Sequence, residues 1–289
     1  MIRYLKNKDI DYTKYDDCVL NAIQSKVYAF SWYLDAVTET WDVLVLGDYE
    51  AVMPLPKRKK YNINYIFQPS WIQHLGTFSR RHLTDNQSAI FIKKIPRKIT
   101  LIDYNTNFKT PNSQEQTNYI LPLERDYKTI FKTFSKGRKS SINQAKKCGL
   151  EIREIEDWAS IITLFKQNKG LNVELSNDAY KVLEILLEKS KTLKKLKILG
   201  AYSKSNELLG GAFFIISKNR ITYLFSAVNQ KGRDLQAMSL ILNTVIKNYS
   251  ESDYIFDFEG SMLLGVAKFI RSFGAQKEFY YHFKKWRLF

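Results

Sequence analysis

Histidine and cysteine are scarce in this chain of 289 residues, with three of the first and two of the second. His74, His82 and His282 show no metal-ligand spacing, and Cys18 and Cys148 add no cluster, so no metal is expected. Two distant cysteines exclude a disulfide framework and fit a reducing compartment. Long apolar runs are also missing. The longest candidate, GGAFFII (210–216), falls far short of a spanning helix. The opening MIRYLKNKDIDY has no apolar stretch, so a secretory leader is not expected. The chain reads as cytoplasmic, without an integral membrane segment, though able to visit a membrane surface. There is no G-x-S-x-G elbow and no Cys/His nucleophile pattern. GRKSS lacks both the upstream glycine and the Gly-Lys pair of a phosphate loop.

What is abundant is positive charge. Forty-five Lys and Arg against 29 Asp and Glu leave +16, with a pI near 9.6. That excess suits a polyanionic partner such as tRNA, another nucleic acid or an anionic surface, or else a basic proteome background. Hydrophobic residues make up 45% of the chain, ample for one large domain or two medium ones. Aromatics alternate in strands and line helices, which is core material.

The order of elements follows from periodicity and turn signals. The first half reads as a strand at MIRYL, helix around FSWYLDAV, a hairpin turning at Gly47-Asp48, and strand and loop through KRKKYNINYIFQPSWIQHLGTFS. A helix over 85–94 and a strand at ITLIDY (99–104) follow. The polar segment 105–118 reads as a loop or linker. The second half is clearer: a helix over 126–147, a strand over 150–156, helices over 157–168 and 177–195, and an antiparallel meander of three strands. Leu235, Met238, Leu242, Val245, Ile246 and Tyr249 then form one helical stripe. A strand at YIFDFEG, a helix ended by Gly274 and a last strand at KEFYYHF complete the order.

Two groups of residues carry candidate chemistry. Alternation along a strand puts Asp257 and Glu259 on one face and Phe256 and Phe258 on the other. The two acids either point into a crevice, where one could serve as a general base, or pair with a lysine or cap the next helix beside Ser261, the ordinary N-cap. The second group is a run of seven cations from Lys128 to Lys147 that no acid interrupts. Helical spacing places Lys128, Lys132, Lys136 and Lys139 on one face, suited to phosphates or to plain solvation.

Three signatures carry a resemblance. YLFSAVNQKGRDLQAMSLILNTVI resembles the strand, turn and helix that hold the pyrophosphate of acyl-CoA in the GNAT acyltransferase fold. YIFDFEGS resembles the strand that splays from its neighbour there, and AKFIRSFGA is similar to the helix end that follows. FSKGRKSSINQAKKCGLEIRE is similar to the linker helix of the FemABX aminoacyltransferases, which carry two tandem GNAT-like domains. AFSWYLDAV and MPLP fall in the order expected for that group. The resemblance implies an α/β (α+β) fold of two such domains, each a mixed, mostly antiparallel splayed sheet flanked by helices. Residues 1–122 would be a degenerate copy and 123–289 the working one.

The resemblance also implies an activity: transfer of an acyl or aminoacyl group from a thioester or ester to an amine. Acyl-CoA would be a possible co-substrate, with no permanently bound cofactor. Gly232, Arg233, Gln236 and Ala237 would orient the donor, and Asp257 or Glu259 would serve the amine. Lys136, Arg138 and Lys139 would hold phosphates. Trp71 and Gln73, in QPSWIQHLG (68–76), would line part of the acceptor site, and Phe269 would be a further substrate-binding residue. Two readings stand beside this one. The first is Fem-type transfer from aminoacyl-tRNA to a cell-wall precursor, which the charge favours and Ile270 opposes, because relatives commonly show Phe-Lys where this chain has Phe269-Ile270. The second is a non-catalytic polyanion-binding protein on the same scaffold, favoured by the single glycine, Gly232, of the phosphate turn.

Overall fold

The computed structural model describes residues 1–60, 63–168, 175–260 and 262–287. Ser261, the expected N-cap, lies outside them. In chain order the elements are β1 (Ile2–Leu5), α1 (Tyr12–Asn21), α2 (Ser31–Val37), β2 (Trp41–Leu46), β3 (Ala51–Lys60), β4 (Ile63–Ile66), β5 (Phe78–Ser79), α3 (Asp85–Lys94), β6 (Ile99–Thr106) and β7 (Ser113–Pro122). There follow α4 (Tyr127–Thr133), α5 (Lys136–Lys147), β8 (Glu151–Glu154), α6 (Ala159–Asn168), α7 (Asn177–Thr192), β9 (Leu196–Tyr202), β10 (Leu208–Ser217) and β11 (Arg220–Val228). Last come α8 (Gln230–Asp234), α9 (Ala237–Asn248), β12 (Ile255–Asp257), α10 (Leu264–Arg271) and β13 (Gln276–Trp286).

The chain forms two compact units. The first contains Met1–Thr117, Asp178–Lys189 and Phe279–Phe289, and the second contains Asn118–Asn177 and Ser190–Glu278. In the first unit the strand order is β1-β2-β3-β4-β6-β13, with β5 beside β3. Every pair there is antiparallel except β4 with β6. In the second unit the order is β8-β9-β10-β11-β12-β7, and again one pair is parallel, β11 with β12. Each unit is thus a mixed, mostly antiparallel sheet flanked by helices. In both, a helical crossover joins the two parallel strands: α3 in the first unit, α8 and α9 in the second. The sixth strand of each comes from a remote part of the sequence. β13 follows α10 yet pairs with β6, and β7 follows β6 yet pairs with β12.

Three expectations need correction. The polar stretch 105–118 is no linker: β7 begins at Ser113, because pairing supplies what its side chains do not. The helix expected over 126–147 breaks at Phe134 and Ser135. Ser135 caps α5 by accepting from the Arg138 amide at 3.1 Å, and its own amide donates to the Ser272 carbonyl at 2.9 Å. The four lysines therefore do not share one continuous helical face. The strand expected over 254–260 stops at Asp257.

Both cores are rich in aromatic rings. In the first unit Tyr15 packs on Trp41 with centroids 5.0 Å apart. In the second, Phe256 and Phe258 meet at 4.6 Å, and Phe273 joins Phe134 at 5.2 Å. Cys18 is buried in the first unit, where burial pushes its thiol up to about 11 and leaves it unreactive.

Candidate functional site

The second unit opens where its parallel strands part. β11 and β12 pair at three positions, Arg220 with Ile255, Ile221 with Phe256, and Thr222 with Asp257. β12 then ends while β11 runs on to Val228. The ladder between β10 and β11 is irregular just past this point. Phe213 faces Phe225 and Phe214 faces Tyr223, so Leu224 is an extra residue in β11. Such a bulge bends its strand and re-aims the side chains beyond it.

The parting leaves a cavity of about 390 Å³. β11 lends it Tyr223, Ser226 and Val228, and Phe258 follows β12. Gly232, Arg233, Gln236, Met238 and Ser239 close one side, and Gly265, Val266, Phe269 and Ile270 of α10 close another. No carboxylate and no histidine is among these residues. Tyr223 carries the one phenol there. Burial pushes it up to about 12 against a lowering hydrogen bond, which it donates to Ser226 Oγ at 2.5 Å. Of the site residues expected from sequence, the structure brings Gly232, Arg233, Gln236 and Phe269 to one cavity.

Gly232 has a different reason to be glycine than the expected one. Its amide donates to Asn229 Oδ1 at 2.7 Å and so is already engaged. A Cβ there would collide with the Leu209 carbonyl oxygen, so the glycine lets α8 lie close on β10. Gln236 adopts a left-handed conformation with φ 63° and starts α9. Ala237, buried, occupies the first turn of that helix.

The two acids are not at the mouth of the opening. Asp257 is fully buried at its root. Its carboxylate accepts from Arg220 at 2.6 Å, from Asn118 Nδ2 at 2.9 Å and from the Glu259 amide at 3.0 Å. Arg220 also meets Glu278 at 3.1 Å. Burial pulls the Arg220 guanidinium down, but the two carboxylates outweigh this and leave it raised. Glu259 lies beyond the strand with φ 56°, so the alternation meant to place it beside Asp257 has stopped. Phe256 and Phe258 do enter the core.

Arg138, expected with Lys136 and Lys139 to hold phosphates, turns inward. Its side chain is more than nine-tenths buried. The guanidinium lies 4.1 Å from the Phe269 ring centre and 4.7 Å from that of Phe273. Nε donates to Ser272 Oγ at 2.9 Å, and Nη1 donates to Ser239 Oγ, in the cavity wall. Among the described residues no carboxylate pairs with it. Burial alone pulls it down to about 10. Lys136 and Lys139 stay outside, along a shallow groove with Ser140, Asn143 and Gln144.

The first unit treats the corresponding gap differently. β4 and β6 pair from Asn64 to Ile66, and beyond that the loop 68–76 lies along β6. Leu75 bridges to Thr106 in parallel, and its amide donates to Asn105 O at 3.0 Å. The Asn105 backbone amide donates to Gln68 Oε1 at 2.9 Å, and its side-chain Nδ2 donates to Gln73 O at 2.8 Å. Tyr104 OH accepts from the Gly76 amide at 3.0 Å. Trp71, at φ 65°, donates to Ala179 O at 2.8 Å and accepts from Tyr33. Trp71 and Gln73 thus hold this loop in place and do not line the cavity of the second unit.

Most of the cavity wall was not singled out in the sequence. Met238 was visible only as part of an apolar helix stripe. Ser239, Ser226 and Tyr223 carried no signal, because they converge only through the bulge and the crossover helix. Among the described residues no group of His, Cys, Asp or Glu could hold a metal ion, and no helix is long and apolar enough to cross a membrane.

No protein-family model matches the chain, and no curated protein matches it in sequence. Solved structures do. The chain is similar to FemX with a TM-score of 0.69 and 12% identity, over 96% of each chain. It is similar to a conserved protein of unknown function from Bacteroides thetaiotaomicron with a TM-score of 0.61 and 11% identity, covering 98% of this chain and 99% of that one. A third is the C-terminal domain of a protein described as a lysylphosphatidylglycerol synthetase from Agrobacterium fabrum. There the TM-score is 0.56 and identity 10%, over 94% of this chain and 91% of that one. The FemABX-like, GNAT-type resemblance read from sequence is therefore shown at the level of fold.

Proposed function

We propose that the chain is an acyltransferase that moves an acyl or aminoacyl group from a thioester or ester to an amine, with the donor in the cavity of the second unit. The observation that carries this reading is the parting of β11 from β12 after Thr222 and Asp257. A strand that runs on past its partner offers a backbone edge to an extended ligand. The acyl end would rest against Phe258, Val266 and Phe269. In the same reading the two units are tandem copies of one GNAT-like plan, and the second keeps the working site.

The chemistry follows from what lines the cavity. The neutral amine attacks the carbonyl carbon, a C–N bond forms, and the C–S or C–O bond breaks. Among the described lining residues no carboxylate or histidine collects the proton the amine sheds, so that proton passes to solvent, and rate comes from positioning and from stabilising the oxyanion. Tyr223 stays protonated at neutral pH and suits proton donation to the leaving group, its phenolate then regaining a proton from solvent. Asp257 acts at one remove, by holding the root of the opening against Arg220. Arg138 is likewise a positioning residue: it fixes and polarises the Ser239 hydroxyl, which faces the donor's anionic oxygens at the start of α9. Acyl-CoA is the donor this favours. Fem-type use of aminoacyl-tRNA, with a cell-wall precursor as acceptor, is the second reading, and the cationic groove on α5 favours it.

Calorimetric titration with acyl-CoA and, separately, with charged tRNA tests the reading. One of them should bind, and Val266→Trp, which fills the cavity, should abolish that binding without lowering Tm. If neither donor binds, or if the variant binds as well as the parent, the cavity is not a donor site.

A further inference from the structure

The lip of the cavity carries an unusual surface. Met262, Leu263 and Leu264 are consecutive and are 60%, 70% and 85% exposed. Single exposed apolar residues are ordinary, but three in a row on a polar surface mark a contact site. The next two residues, Gly265 and Val266, already line the cavity. Along α10, Leu264, Lys268 and Arg271 recur at i, i+4 and i+7, so one exposed face has an apolar tip and a cationic body. No acid occurs between Glu259 and Glu278.

The cationic band extends onto α5. The Ser135 amide donates to the Ser272 carbonyl, which sets the start of α5 against the end of α10. Lys136 and Lys132 flank that contact and are exposed. They belong to the stretch of seven cations without an acid. An apolar tip that enters the acyl boundary, backed by cations at headgroup level, is the chemistry of interfacial membrane binding.

We propose that this face docks the second unit on an anionic bilayer, with residues 262–264 inserted and Lys268, Arg271, Lys136 and Lys132 against lipid phosphates. RNA is the competing polyanion, but it would engage the cations and leave the leucines idle. Docked this way, the cavity mouth opens at the bilayer, so the acceptor amine would belong to an amino-lipid headgroup or a lipid-linked precursor. That consequence rests on the acyltransferase reading, whereas the docking itself does not.

Flotation of the full chain with vesicles tests it. Vesicles of phosphatidylglycerol and phosphatidylcholine should carry the protein, and vesicles of phosphatidylcholine alone should not. Leu263→Ser with Leu264→Ser should weaken vesicle binding at least about tenfold, from the apolar area kept in water. Lys268→Glu with Arg271→Glu should weaken it by a similar factor and make the remainder insensitive to salt. All four side chains are exposed, so circular dichroism and Tm should not change. If the parent ignores anionic vesicles, the proposal fails. It also fails if the leucine variant floats like the parent, or if an RNA fragment is bound and only the cationic variant loses both ligands. Donor titration of the leucine variant separates this outcome from the acyltransferase reading, since the cavity is left intact.

Discussion

The two units share a strand order and differ beyond their parallel pairs. In the first, the gap beyond the parallel pair is closed by the chain itself: the loop 68–76 lies on β6, bridged at Leu75 and tied through Asn105. In the second, the same gap is an open cavity of about 390 Å³ lined by residues of β11, α9 and α10. The ionic side chains differ in parallel. Asp103 on β6 meets His282 and Lys284 at 2.8 and 2.7 Å where water still reaches them. Asp257 on β12 meets Arg220 in the interior. An open gap removes packing that a filled one supplies, so its root needs another anchor. A buried ion pair with further hydrogen bonds can serve, because it is costly to break even where it adds little net stability.

The comparison can be broken most sharply at Asp257. Asp257→Asn leaves the Arg220 charge buried with less compensation and should cost about 3–5 kcal/mol of stability, read by urea denaturation. A variant of full stability that turned over poorly would return Asp257 to the role of a base. Asn105→Ala removes the side-chain tie to Gln73 O in the filling loop of the first unit, while its backbone amide still reaches Gln68. It should cost about 1–3 kcal/mol and leave donor affinity in the second unit untouched. A loss of donor affinity there would show that the filled gap is itself part of the site.

Ser239→Ala deprives Arg138 of its link to the cavity. It should lower donor affinity by about 1 kcal/mol and, because a buried guanidinium loses an acceptor, cost about 1–3 kcal/mol of stability as well, measured by titration and thermal melting. A purely structural serine would move Tm and spare affinity. The smallest effect belongs to Asp103. Burial would raise its carboxyl, but hydrogen bonds from Lys284 and His282 outweigh that and hold it below the ordinary value. A depressed carboxyl stabilises the fold above its unfolded pKa, and that contribution is lost as pH falls through the folded pKa. Asp103→Asn should therefore cost about 0.2–1 kcal/mol at neutral pH, and the gap to the parent should close in acid, as paired urea curves would show. A gap that stayed constant with pH would assign the cost to packing.

Much of the framework was legible in the sequence. The capped helix α3, the hairpin at Gly47 and the meander of the second unit announce themselves by period and turn residues, which are local. Phe269, Arg233 and Gln236 were found because they sit within motifs contiguous in the chain. Other features were illegible because their partners are distant. Asn118 and Arg220 meet Asp257 from separate segments, and Glu278 meets both of them from a third, so nothing near FDFEG announced a buried pair. The polar start of β7 looked like a linker because its own residues carry no strand period, and the strands beside it, β12 and β13, lie more than a hundred residues away. Arg138 looked like one more surface cation, since helical spacing alone does not say which side of α5 meets Phe269 and Ser239.

By itself, then, the amino-acid order determined the succession of elements and the bias of charge, because periodicity, caps and turns act over a few residues. Only the tertiary structure decided which gap is filled, which strand completes which sheet, and whether an acid or a cation faces outward. Those outcomes depend on pairing and packing between segments far apart in the chain, and no short stretch contains both members of any such pair.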